Sequence, residues 1–119
     1  MNIQDFIVDE ECNMLGAMSL LDKVAKKVLF VAREGRLTGA VTDGDIRRWI
    51  LKKGHLDAKV REFANYNPRY LHEKYKTQAK EYMRQHSIEA LPIVNEAMNI
   101  VSIVFWNDHE VKSKRSMNV

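Results

Sequence analysis

The feature that most constrains this chain is that it repeats itself. Shifted by 63 positions, the separation of Asp45 from Asp108, the sequence falls on itself without a gap. Val8 then meets Leu71, Glu10 meets Glu73, Leu20 meets Met83 and Val28 meets Leu91. Phe30 meets Ile93, Val31 meets Val94, Leu37 meets Ile100 and Val41 meets Val104. Most pairs are similar rather than identical, and the apolar segments keep the same order in both halves. Such self-similarity implies one structural unit built twice. A length of 119 residues, 45% of them hydrophobic, suits one domain or two small fused units.

Each half predicts the same elements. A short apolar strand opens it, Phe6-Ile7-Val8 in the first half and Tyr70-Leu71 in the second. A helix follows, at about Asn13 to Lys27 and about Thr77 to His86. Met14, Ala17, Met18, Leu21, Val24 and Ala25 recur at helical spacing and define one apolar face. Two strands joined by a tight turn come next: VLFVA and LTGAVT around Glu34-Gly35-Arg36, then ALPIV and NIVSIVFW around Asn95 to Asn99. Runs this apolar are expected to be buried on both faces. A second helix is expected from Asp43 to about Lys53, stopping at Gly54. Its counterpart, starting near Asn107, is expected to be short and to run into the basic tail. Between the halves REFANYNPRYL reads as a connector, because Pro68 denies a helix there. The boundaries that follow are 1–62, 63–111 and a basic tail at 112–119, in an α/β (α+β) architecture of two βαββα-type repeats.

Several function classes drop out. No apolar run approaches the roughly 20 residues that cross a bilayer. The acidic start MNIQDFIVDEE is no secretion signal. The single cysteine, Cys12, allows no internal disulfide and fits a reducing cytoplasm, where it reads as an inert thiol at a helix start. The net charge of +3 comes with alternating signs, and no basic stripe with interleaved aromatics suggests nucleic acid. His55, His72, His86 and His109 show no zinc spacing. Asp43-Gly44-Asp45 lacks the further oxygen ligands of a calcium loop, so magnesium is expected only if a triphosphate carries it in. Trp49 reads as packing, in the core or at a dimer interface, and Trp106 as packing, with a role in the cleft as the alternative. No nucleophile–base set and no Walker-type loop is present, so the chain is not expected to be an enzyme in its own right.

The chemistry concentrates in GAVTDGDIRRWI, Gly39 to Ile50. Thr42 and Asp43 stand where a strand ends and a helix begins, and either can cap that helix. Asp43 and Asp45 suit the positive end of its dipole. Capping explains the acids, but not Gly39, since glycine inside a buried strand marks a close approach to the backbone. A ligand reading uses all of these residues. Thr42 offers a hydroxyl to a phosphate or sugar oxygen, and Asp45 accepts from a ribose diol. Arg47 and Arg48 follow within one turn as forked phosphate donors. Tyr66 and Pro68 are candidates for the wall of a base pocket.

Gly39, Thr42 and Asp45, in the pattern Gly-x-x-Thr-x-x-Asp, resemble the signature of cystathionine-beta-synthase-type (CBS) domains. TDGDIRR is a common form of that signature, and Leu91-Pro92-Ile93-Val94 resembles the strand ahead of it. The resemblance covers nearly the whole chain as two tandem copies. It implies two repeats about a pseudo-twofold axis, with adenine nucleotides (AMP, ADP or ATP) held in clefts between them. Thr42 and Asp45 would contact phosphate and ribose.

The second copy departs from the pattern. Ser102 replaces the glycine, Phe105 replaces the threonine, and only Asp108 is kept, so one strong ligand site per chain is expected. VSIVFWND, the basic stretch and MNV resemble the junction ahead of a bacterial sugar-phosphate nucleotidyltransferase domain. The resemblance thus implies a regulatory module of such an enzyme, paired as a homodimer through its helices. The alternative is a structural dimerisation module with no ligand.

Overall fold

The computed structural model describes residues 2–24, 27–107 and 110–112. Its elements run β1 (Ile7–Val8), α1 (Met14–Val24), β2 (Val28–Arg33), β3 (Arg36–Thr42), α2 (Asp43–Lys53) and α3 (Val60–Phe63) in the first copy and connector. The second copy gives β4 (Leu71–His72), α4 (Ala79–His86), β5 (Ala90–Val94), β6 (Ile100–Phe105) and β7 (Val111–Lys112). Short 3-10 turns, Ile3–Phe6 and Glu73–Gln78, lead into β1 and α4.

The strands form two sheets, ordered β1-β2-β3 and β4-β5-β6-β7. The opening strand of each copy pairs in parallel with its neighbour: Ile7 and Val8 lie opposite Phe30 and Val31, and Leu71 and His72 lie opposite Ile93 and Val94. The residues that receive the opening strand are therefore the same repeat positions in both copies. The duplication reaches details of the turns. Asn2 Oδ1 accepts from the Gln4 N–H at 2.8 Å, and Asn65 Oδ1, 63 positions on, accepts from the Asn67 N–H at 3.0 Å.

The chain divides into two compact units: Asp5–Glu34 with Thr38–Pro68, and Met1–Gln4 with Gly35–Leu37 and Arg69–Val119. In the former, α1 buries Met14, Ala17, Leu21 and Val24, and β2 buries Leu29, Phe30 and Val31. In the latter, Ala79 and Met83 of α4 pack with Leu91, Ile93 and Val104, flanked by Leu71, Tyr82, Ile88 and Val101. There too, Leu37 donates its N–H to the Met98 carbonyl at 2.9 Å.

α2 stops as expected. Gly54 takes φ +74° and its N–H bonds the Ile50 carbonyl at 2.8 Å. Nothing lies within 4 Å of a Cβ built on it, so substitution there reports conformational strain alone. Gly54→Ala should destabilise the chain by about 1 kcal/mol, read as a lower urea midpoint at unchanged slope.

Some expectations need correction. β5 and β6 are buried on nearly every residue, but β3 alternates buried Leu37, Gly39 and Val41 with half-buried Thr38, Ala40 and Thr42, because one of its faces is only partly covered. The first three residues of the connector stretch, Arg61, Glu62 and Phe63, are helical: α3 occupies Val60–Phe63, with Glu62 Oε2 accepting from the Lys59 N–H at 2.8 Å. Among the described residues no second helix follows β6. Asn107 lies in a bend, and Val111–Lys112 form β7 antiparallel to Ser102 and Ile103. Phe105, at the repeat position of the capping Thr42, has no side-chain oxygen to start such a helix, and the carbonyls there are bonded otherwise. Lys80 Nζ donates to the Phe105 and Trp106 carbonyls at 2.6 and 2.7 Å.

Candidate functional site

Thr42 is the last residue of β3 and the N-cap of α2, with extended backbone (φ −123°, ψ 167°). Its hydroxyl accepts from the Asp45 N–H at 3.2 Å and donates to Asp45 Oδ2 at 3.1 Å. Asp45 Oδ2 also accepts from the Thr42 N–H at 2.9 Å. This reciprocal capping box satisfies backbone donors at the helix start. Asp45 Oδ1 accepts from Arg48 Nη2 at 2.9 Å, an ion pair three residues apart. The guanidinium lies over Gly44, whose added Cβ would sit 3.1 Å from Arg48 Nη1.

Gly39 now has a physical reason. A Cβ built on it would lie 2.9 Å from the Asn65 carbonyl oxygen and 3.4 Å from Tyr66 Cδ1. What approaches the strand is the chain's own connector, held by Ala40 N–H to Asn65 O and Asn65 N–H to Ala40 O, both 2.9 Å. Tyr66 is fixed beside it by donating its hydroxyl to the Arg61 carbonyl at 2.9 Å. Burial, then the nearby Glu10 charge, raises the Tyr66 phenol above its ordinary pKa, so it stays a neutral donor. Glu11 accepts from Lys59 Nζ at 2.8 Å and Arg61 Nη1 at 3.1 Å, and the Lys59 hydrogen bond foremost holds its carboxyl below the ordinary value.

The structure thus brings together Thr42, Asp45 and Arg48 at the start of α2 and, further back along β3, Gly39 and Tyr66 of the connector. Pro68 stands half-buried two residues beyond Tyr66. Asp43 and Arg47 share the opposite face of α2, where they line a groove of about 610 Å³ with Leu15, Met18, Asp22 and Ile50. Spacing alone could have separated them. Residues 43 and 47 are one helical turn apart, and so are 45 and 48, on another face.

In the second copy, Phe105 is buried at the position equivalent to Thr42, and Ser102, 3% exposed, has a hydroxyl with no hydrogen-bond partner among the described residues. Asp108 and His109 lie outside the described residues. Lys80, whose ammonium also sits 5.5 Å from the Trp106 ring centroid, is a cap that sequence reasoning missed, because a contact spanning 25 residues leaves no local pattern. The other singled-out residues have local partners. Trp49 donates its indole N–H to the His55 carbonyl at 3.2 Å and packs on Phe63. His72 Nδ1 accepts from the Lys74 N–H at 3.2 Å, and the His86 ring lies 4.5 Å from that of Tyr82. Burial first, then Asp9, raises the Cys12 thiol above its ordinary pKa. Among the described residues no helix is long and apolar enough to cross a membrane, and no group of three or more His, Cys, Asp or Glu could hold a metal.

The fold is that of CBS domain pairs. A CBS domain protein from Pyrobaculum aerophilum, solved with AMP, superposes with a TM-score of 0.69 at 21% identity, covering 83% of this chain and 78% of that one. A second CBS domain pair, solved with 5′-methylthioadenosine and S-adenosyl-L-methionine, superposes with a TM-score of 0.68 at 20% identity, covering 88% and 92%. Among curated proteins, the arabinose 5-phosphate isomerase GutQ of Escherichia coli is 31% identical over 98 residues, which are 81% of this chain and 30% of that protein. The chain spans less than a third of the length of the curated relatives it matches. Those named are isomerases; a nucleotidyltransferase does not figure among them. No family model matches.

Proposed function

We propose that this chain is a regulatory module that binds an adenine nucleotide at the junction of β3 and α2 and biases an attached catalytic domain. The observation that carries the reading is the Thr42–Asp45–Arg48 arrangement at the end of β3, the strand that Tyr66 packs against at Gly39. It offers acceptors for sugar hydroxyls, a forked cation for phosphate and an aromatic face for a base. Two of the solved neighbours were determined with adenine-containing ligands, which supports the choice of adenine. Magnesium enters this reading only as the companion of a triphosphate.

The attached domain is read as one acting on a sugar phosphate. The curated relatives are named for an arabinose 5-phosphate isomerase, and the stretch from Val101 to Asp108 resembles a junction ahead of a sugar-phosphate nucleotidyltransferase. The chemistry common to both is a phosphorylated sugar. The regulation is thermodynamic, since a ligand shifts its partner only by its differential affinity for two arrangements.

The groove between α1 and α2 supports pairing of two chains. Leu15, Met18 and Leu51 are 62%, 42% and 80% exposed there. Asp22 and Asp43 line it together with Lys27 and Arg47, so charges of both signs are available to a second copy. A module that only dimerises is the second reading, favoured by this groove. Thermal denaturation with AMP separates the two. At 100 times its dissociation constant, AMP should add about 2.7 kcal/mol, a rise in Tm of roughly 10 °C. Asp45→Asn should abolish the rise. No shift with millimolar AMP, in a chain that light scattering finds dimeric, would leave the structural reading standing.

A further inference from the structure

We infer that Arg48 sets the preference of this site for phosphorylated ligands, because it occupies the Asp45 oxygen that a sugar needs and moves to the phosphate when one is present. The inference rests on the adenylate reading above. An ionised carboxylate has about four acceptor positions. Asp45 Oδ2 already receives the Thr42 N–H and hydroxyl. Oδ1 receives Arg48 Nη2, which leaves one position. A ribose diol donates two hydroxyls, so the second must take the place that Arg48 holds.

Arg48 can yield it. Its side chain is 65% exposed, and exposed ion pairs of this kind contribute only about a two- to fivefold factor. The bare Gly44 lets the guanidinium lie across the first turn of α2, where unpaired N–H groups and the helix dipole favour an anion. A guanidinium released there stays beside a phosphate held at that turn and bonds it through its fork. A nucleoside breaks the ion pair and returns nothing to Arg48, whereas a nucleotide replaces it. Arg47, on the groove face with Asp43, is not placed to share the task.

The test is calorimetric titration of the full chain with AMP and with adenosine. Arg48→Gln should weaken AMP about ten- to hundredfold, as expected for loss of a charged hydrogen bond. Adenosine affinity should hold or tighten two- to fivefold. Arg48→Lys, which keeps the charge without the fork, should retain part of the AMP preference. Arg84→Gln removes the same charge from an exposed pair with Glu81 on α4 and should leave the AMP-to-adenosine ratio unchanged. An unchanged ratio in Arg48→Gln, or the same loss in Arg84→Gln, overturns the inference while the adenylate reading stands. Absence of AMP binding to the unsubstituted chain overturns that reading and this inference together.

Discussion

Replacing Gly39 by valine should destabilise the chain by about 2–4 kcal/mol and remove any response to AMP. The first atom added already lies 2.9 Å from the Asn65 carbonyl oxygen. That oxygen is backbone, tied to Ala40 by a reciprocal pair of 2.9 Å hydrogen bonds, so it cannot give way as a flexible side chain could. Overpacking costs about 1–3 kcal/mol, and losing one of the pair adds about 1 kcal/mol. Tyr66 would move with the connector, since it lies 3.4 Å from the same added atom. Gly39→Ala should fall between the wild type and valine. Urea unfolding with equal slopes checks the order, and a valine variant as stable as wild type would mean that the connector is not seated as described.

Leu91→Ala should cost about 2–5 kcal/mol, a fall in Tm of roughly 10–15 °C. Leu91 is fully buried on β5, within the cluster of Ala79, Met83, Ile93 and Val104. This core is small and rests on the eight-residue helix α4, so little neighbouring material can collapse into the cavity. Exposed Leu51→Ala, measured beside it, should change stability by no more than about 0.5 kcal/mol in a monomeric sample.

The parts of the fold that were legible in the sequence are those with repeated or local signals. The shift of 63 carried the order of elements, and the structure extends it to Asn2 and Asn65, which make the same turn. Gly35 and Gly54 were legible because positive φ favours glycine, whereas the left-handed backbone of Glu34 was not. Thr42 was legible as a cap, and the structure gives it that role, with Asp45, read from the sequence only as suiting the helix dipole, completing the box in place of Asp43. The ligand reading therefore rests on what the cap leaves free, not on the presence of the two residues.

Other parts left no such trace. The four residues of α3 and the two of β7 are too short for periodicity to show. Gly39 signalled a close approach, but not that the approaching atom belongs to Asn65. Arg47 and Arg48 are neighbours in sequence, yet the helix turns them to different surroundings, one to the groove and the other to Asp45.

The lysine that closes the end of β6 bears on dose response. With Lys80 bonded to the terminal carbonyls and a buried Phe105 filling the threonine position, the described residues of the second copy offer no counterpart of the Thr42 hydroxyl. On the proposed reading each polypeptide is univalent, and its own saturation curve is hyperbolic. Any sigmoidal steepness in the control of an attached enzyme must then arise between polypeptides.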